Sequence, residues 1–108
     1  MMKGTYWQKG EALDYRNNTD KKIENGEVVV LGNRIGVAGD DILPGENGVV
    51  HVSGVFGFDK TDTTEISIGT EVYLTEEGIT ASEGSTKAGY AAADSSESDT
   101  KVYVKINA

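Results

Sequence analysis

Fourteen glycines and a single proline are spread along 108 residues, and the glycines fall between short apolar runs. Gly26, Gly32, Gly36, Gly48, Gly54, Gly69, Gly78 and Gly89 punctuate the chain in this way. The runs themselves are rich in Val, Ile, Tyr and Thr, side chains that suit a pleated, half-buried surface. No window holds an i, i+3, i+4, i+7 apolar pattern long enough for a true helix. The spacing predicts strands over Thr5–Gln8, Ala12–Tyr15, Glu27–Leu31, Ile35–Ala38, Gly48–Ser53, Thr70–Leu74, Ala88–Ala91 and Lys101–Asn107. At most one short helical turn is expected, in Asp62–Ile68. Many short strands joined by glycine turns make an all-β domain, a small barrel or sandwich, with a β-clip-like arrangement among the forms allowed.

Two runs carry specific expectations. In Lys101–Asn107, Val102, Val104 and Ile106 alternate with Tyr103, Lys105 and Asn107, so one face is apolar and the other wet. Val28–Leu31 is apolar at every position and is expected in the middle of a core. LDYRNNTDKKIE (13–24) and AAADSSESDT (91–100) are polar and are expected to be exposed loops.

A weak repeat underlies the pattern. IENGEVVVL, IGVAGDD and VHV in the first half are followed by ISIGTEVYL, AGYAAAD and VYV in the second. The second half inserts about ten extra residues around Glu76–Lys87. Two explanations stand side by side: chance recurrence of glycine-hinged hairpins, or two related β-units packed about a pseudo-two-fold axis.

A chain of this length is expected to form one domain, residues 1–108, with one modest core. It has no cysteine, so disulfides, thiolate metal sites and cysteine nucleophiles are excluded, and a reducing cytoplasm fits best. MMKGTYWQKG contains no apolar run of the signal or transmembrane kind, and no membrane partner is expected. Ten basic against 18 acidic residues give a net charge of -8, which speaks against nucleic acid as a partner.

Candidate chemistry is sparse. GVFGFDKT (54–61) spells three of the four fixed positions of a phosphate-binding loop, but Asp59 stands where the second glycine belongs. A carboxylate there would face the phosphates, and the residues after Thr61 do not form a long helix that could receive them. The segment reads instead as a strand, Gly48–Phe58, running out into a polar loop at Asp59-Lys60. His51, the one histidine, alternates with Val50 and Val52 and so points away from them, toward solvent or a subunit boundary. No Gly-x-Ser-x-Gly elbow offers it a nucleophile. Asp40-Asp41, Asp59…Asp62 and Glu76-Glu77 do not have calcium-loop spacing. No catalytic, metal or cofactor site is expected. Adjacent Tyr6 and Trp7 should face opposite ways in a strand, one inward and one out as a contact anchor, while Phe56 and Phe58 share a face. Tyr6, Trp7, His51, Phe56 and Phe58 are the candidate interface residues.

The order of motifs resembles that of phage and prophage capsid cement (head decoration) proteins, a family whose members often carry a RecA/RadA recombinase label. The resemblance rests on Tyr6-Trp7-Gln8-Lys9-Gly10, Gly26-x-Val28-Val29-x-Leu31-Gly32, Ile35-Gly36-Val37-Ala38, and Gly45-x-x-Gly48 running into Val52-x-Gly54-Val55-Phe56 and Lys60. It continues through Ile68-Gly69-x-x-Val72-Tyr73, Ala88-Gly89-Tyr90-Ala91 and Val102-x-Val104-Lys105-Ile106, over nearly the whole chain. The LDYRNNTDKK segment and a more acidic second half depart from the family pattern. The resemblance implies a non-enzymatic virion protein that is made in the bacterial cytoplasm and sits on the capsid surface. It further implies a homotrimer that binds the major capsid protein and reinforces the assembled head shell. A tail or head–tail connector component is the structural alternative; a small ligand-binding β-barrel or enzyme is the alternative from another class. The recombinase label finds no support, since such an ATPase needs an intact phosphate loop and a far larger core.

Overall fold

A computed structural model describes residues 1–84 and 86–108. Among the described residues nine strands form in order: β1 (Ala12–Arg16), β2 (Val28–Leu31), β3 (Arg34–Ala38), β4 (Asn47–His51), β5 (Val55–Asp59), β6 (Glu71–Leu74), β7 (Ile79–Thr80), β8 (Thr86–Ala91) and β9 (Lys101–Ile106). They make two antiparallel sheets, β1-β4-β3-β2 and β5-β9-β8-β6-β7, in a sandwich-like arrangement and not a closed barrel. The expected all-β class holds.

The repeat seen in the sequence is present bond for bond. Gly26 N–H donates to Ala38 O (2.7 Å), and Gly69 N–H donates to Ala91 O (2.8 Å). Both glycines have φ near +90°, 89° and 88°, a conformation that an L side chain resists, so each turn before β2 and β6 requires glycine. Ile23 and Ile42 exchange backbone bonds as an isolated bridge, as do Ile66 and Ser95. Asp41 accepts from Asn25 N–H and Asp94 from Ile68 N–H, each at 2.8 Å. Glu46 caps Leu43 N–H as Asp99 caps Ser96 N–H. The pairing Ala38↔Val50 has its counterpart in Ala91↔Val104. The scheme also takes in β1 and β5, which the sequence repeat did not reveal: Ala12↔His51 matches Val55↔Lys105. Two related β-units therefore account for the pattern, and chance hairpins do not.

The units differ in length at the connection between their second and third strands. A two-residue turn, Gly32-Asn33, links β2 to β3, whereas between β6 and β8 the chain folds back after Leu74 to form β7 (Ile79–Thr80). Ile79 of β7 is buried, bridges Lys60, and accepts from Thr61 N–H through its carbonyl (2.9 Å).

β3 ties the units together. Ile35 and Val37 join the larger core with Ile66, Val72, Val102, Val104 and Ile106, while Ala38 joins the smaller core of Ile23, Val29, Ile42 and Val50. All of Ile35–Ala38 is buried. Where β4 ends, the side chain of Asn107 takes over beside Ile35. Its Oδ1 accepts from Ile35 N–H (2.9 Å), and its Nδ2 donates to Ile35 O and Val52 O (2.8 Å each). Asn107 adopts φ 59°, a left-handed conformation that asparagine tolerates better than most residues.

Several expectations are corrected. Thr5–Gln8 forms no strand. No helical turn forms over Asp62–Ile68; its β-branched residues lie extended, Ile66 bridges Ser95, and the Asp62 carboxylate binds Thr80 Oγ1 and Ala81 N–H. Val28–Leu31 is an edge strand with Val30 52% exposed, because strand order gives β2 one neighbour, β3; Val28 packs on the larger core, and Val29 and Leu31 on the smaller. Gly48–Phe58 is broken at Val52–Gly54, where the chain passes from one sheet to the other. The polar stretch 13–24 opens with β1 and contains the fully buried Asn17; the stretch 91–100 contains buried Ala91 and Ser95. Asn17 is satisfied by donating to Lys21 O and Ile42 O and accepting from Thr19. Lys101–Ile106 alternates exposed and buried as expected.

Asn107→Ala should cost about 2–3 kcal/mol in urea unfolding, since it strands the Ile35 and Val52 backbone groups. Asn107→Gly should recover about 1 kcal/mol of that loss by removing the side chain from a left-handed backbone.

Candidate interaction surface

Residues 1–10 form an arm without strand pairing, because its Gly, Lys and Thr supply no apolar alternation to hold it against the sheet. Tyr6 is 83% exposed and Trp7 81%. The expected one-in, one-out disposition is therefore corrected: both rings are outside, since no strand exists to alternate them.

His51, Phe56 and Phe58 are brought together into an aromatic row. The His51 and Phe56 ring centroids are 5.9 Å apart and those of Phe56 and Phe58 are 6.4 Å apart. Both phenylalanines are half-buried against the larger core, and His51, at the end of β4, is exposed. Alternation in β5 puts Phe56 and Phe58 on the inward side and Val55, Gly57 and Asp59 on the outward side.

The outward side of β5, β9, β8 and β6 is a second patch, signalled in the sequence by the wet face of β9. Val55 pairs with Lys105, which pairs in turn with Tyr90, and Tyr90 with Glu71. The Lys105 ammonium lies 5.9 Å from the Tyr90 ring centroid, in cation–π range. Tyr103 lies against Gly57, where a methyl group would meet the ring at 3.0 Å. Lys101 binds Asp59 (2.7 Å) and Lys87 binds Glu71 (3.3 Å). The hydrogen bond from Lys101 to Asp59, with the attraction of the carboxylate, raises the lysine above its ordinary value, so the ammonium stays charged through neutral pH. Partial burial and the neighbouring Glu71 and Glu83 raise the Tyr73 phenol, which keeps it protonated in the same range. The surface is thus a sheet face of tyrosines and neutralised ion pairs, suited to wide contact and not to bond-making chemistry.

The phosphate-loop likeness dissolves in the structure. Gly54–Thr61 is a strand with its flanks, not a loop leading into a helix. The Lys60 ammonium donates to Ser95 Oγ (3.1 Å) and Ser96 O (2.7 Å), closing the base of the 91–100 loop. Lys60 occupies in the second unit the place that Asn17 holds in the first, where Asn17 and Lys60 N–H donate to the carbonyls of Glu46 and Thr100. Among the described residues, no group of three or more His, Asp or Glu side chains converges as a metal site. Lys60→Ala should lower stability by about 1.5–3 kcal/mol in thermal unfolding, and ATP should leave the Tm of the natural protein unmoved.

No curated protein and no solved structure matches the chain. A family model described as "Phage cement protein" matches residues 7–106, from the exposed Trp7 to the last residue of β9. Proteins of that family are structural, non-enzymatic proteins that decorate capsids at the virion surface. The chain belongs to the phage cement protein family.

Proposed function

We propose that this protein binds the major capsid protein on the outside of an assembled head shell, as a homotrimer at local three-fold positions, and reinforces the joints between capsomers. The family match over residues 7–106 carries this reading. The shape supports it. The molecule measures 42 × 41 × 20 Å, a plate whose broad side has room for the ~800 Å² that a standard interface takes from each partner. Several subunits engaged at once turn modest contacts into strong retention. The net charge of -8 weakens association between free monomers at low salt.

Two measurements test this. Co-sedimentation with shells assembled from the major capsid protein should pellet the protein at micromolar concentration; a protein left entirely in the supernatant contradicts the proposal. Self-association should also respond to ionic strength, since salt screens the repulsion between acidic monomers. An apparent mass that is constant from low to high salt would count against the charge-controlled trimer.

A further inference from the structure

The chain carries a basic, aromatic arm and, elsewhere on its surface, an acidic groove with an apolar floor. Residues 1–10 include Lys3 and Lys9 with no acid, and present exposed Tyr6 and Trp7. Lys9 reaches the exposed Glu11 at 3.6 Å, leaving Lys3 without an ion-pair partner among the described residues. The groove opens between the start of β2 and the β6–β7 hairpin, with a volume of about 390 Å³. That is within the ~300–1,000 Å³ of sites that enclose a small ligand group. Val28, Phe58, Leu74 and Ile79 form its floor. Glu27, Glu76 and Glu77 stand on its rim, and Asp59 is the rim carboxylate already held by Lys101. The cation nearest in sequence, Lys60, is committed to Ser95 and Ser96.

We propose that the arm of one copy seats Trp7 in this groove of a second copy. Indole on Val28, Phe58, Leu74 and Ile79 would bury the largest aromatic surface the chain has, and the arm lysines would meet Glu76 and Glu77 across the rim. Within one copy, the arm leaves from β1, at the opposite edge of the four-stranded sheet from β2. Trp7 remains exposed there. Arm and groove are different surfaces, so the contact is head-to-tail and can close into a ring. The groove exists because the second unit carries the extra β7 hairpin. The proposal rests on the self-association reading above and names the parts of the chain that make the contact.

Trp7 is the single tryptophan, so its emission reports on this one ring. Sedimentation velocity and tryptophan emission should be followed together over a concentration series, for the natural protein and for Glu76→Lys/Glu77→Lys. Both glutamates are exposed, and an unchanged Tm confirms that the variant is folded. The natural protein should associate as its emission moves to the blue, and the variant should associate at least ten-fold more weakly without the shift. Trp7→Ala should lose association to the same degree. Association by the variant equal to the natural protein overturns the proposal. So does a blue-shifted emission in the dilute monomer, which would place the arm in its own groove. A natural protein that stays monomeric overturns it as well, even if it still pellets with shells, so this proposal can fail while shell binding stands.

Discussion

The carboxamide of Asn107 does the work of a missing strand. β4 pairs with β3 only as far as Val37↔His51, and the chain then turns away toward the other sheet. Ile35 would be left with its N–H and C=O unpaired inside the protein, at a cost of about 1–3 kcal/mol for each group. Asn107 supplies one acceptor and one donor in the geometry of a backbone amide and uses its second donor on Val52 O. Its own N–H donates to Ala88 O (2.8 Å), so one residue fastens β3, the end of β4 and β8. With this clamp in place, β3 can be buried on both faces and serve two cores at once.

The second unit is the first with its joints altered. Where the first unit plugs its loop with the buried Asn17, the second uses Lys60, whose longer side chain reaches Ser95 and Ser96. Where the first has Ile42 in the loop bridge, the second has Ser95, which donates to Lys101 O (2.9 Å). The polar Ser95 belongs with the cation beside it, and the apolar Ile42 belongs with Ile23 and Val50. Each pair of differences preserves the backbone scheme while changing the chemistry of the interior.

The sequence made the class and most strands readable because glycines and β-branched runs act locally. The alternation in Val102, Val104 and Ile106 carried directly into a buried face. What was not readable depended on distant partners. Val28–Leu31 looks central by composition, yet strand order makes it an edge. Asn17 and Ser95 look like loop residues because their burial depends on carbonyls contributed by other segments. β5 was merged with β4 since nothing local in Val52-Ser53-Gly54 says that the chain changes sheets. Of the five candidate interface residues, His51, Phe56 and Phe58 lie side by side, but the arm lacks the strand that Tyr6 and Trp7 were expected to share.

The strand order has a kinetic consequence. In each unit the strand that comes first in the chain, β1 or β5, pairs with the strand that comes last, β4 or β9. The neighbouring pairs β2–β3 and β6–β8 can zip early, but neither sheet is complete until its outer strand has searched for a distant partner. The Asn107–Ile35 contact spans 72 positions and joins the two units. Such a topology belongs to the slow class of small domains, folding in milliseconds to seconds. Because this contact and the burial of β3 in both cores join the units, the two halves should reach the native state in one cooperative step and not one after the other.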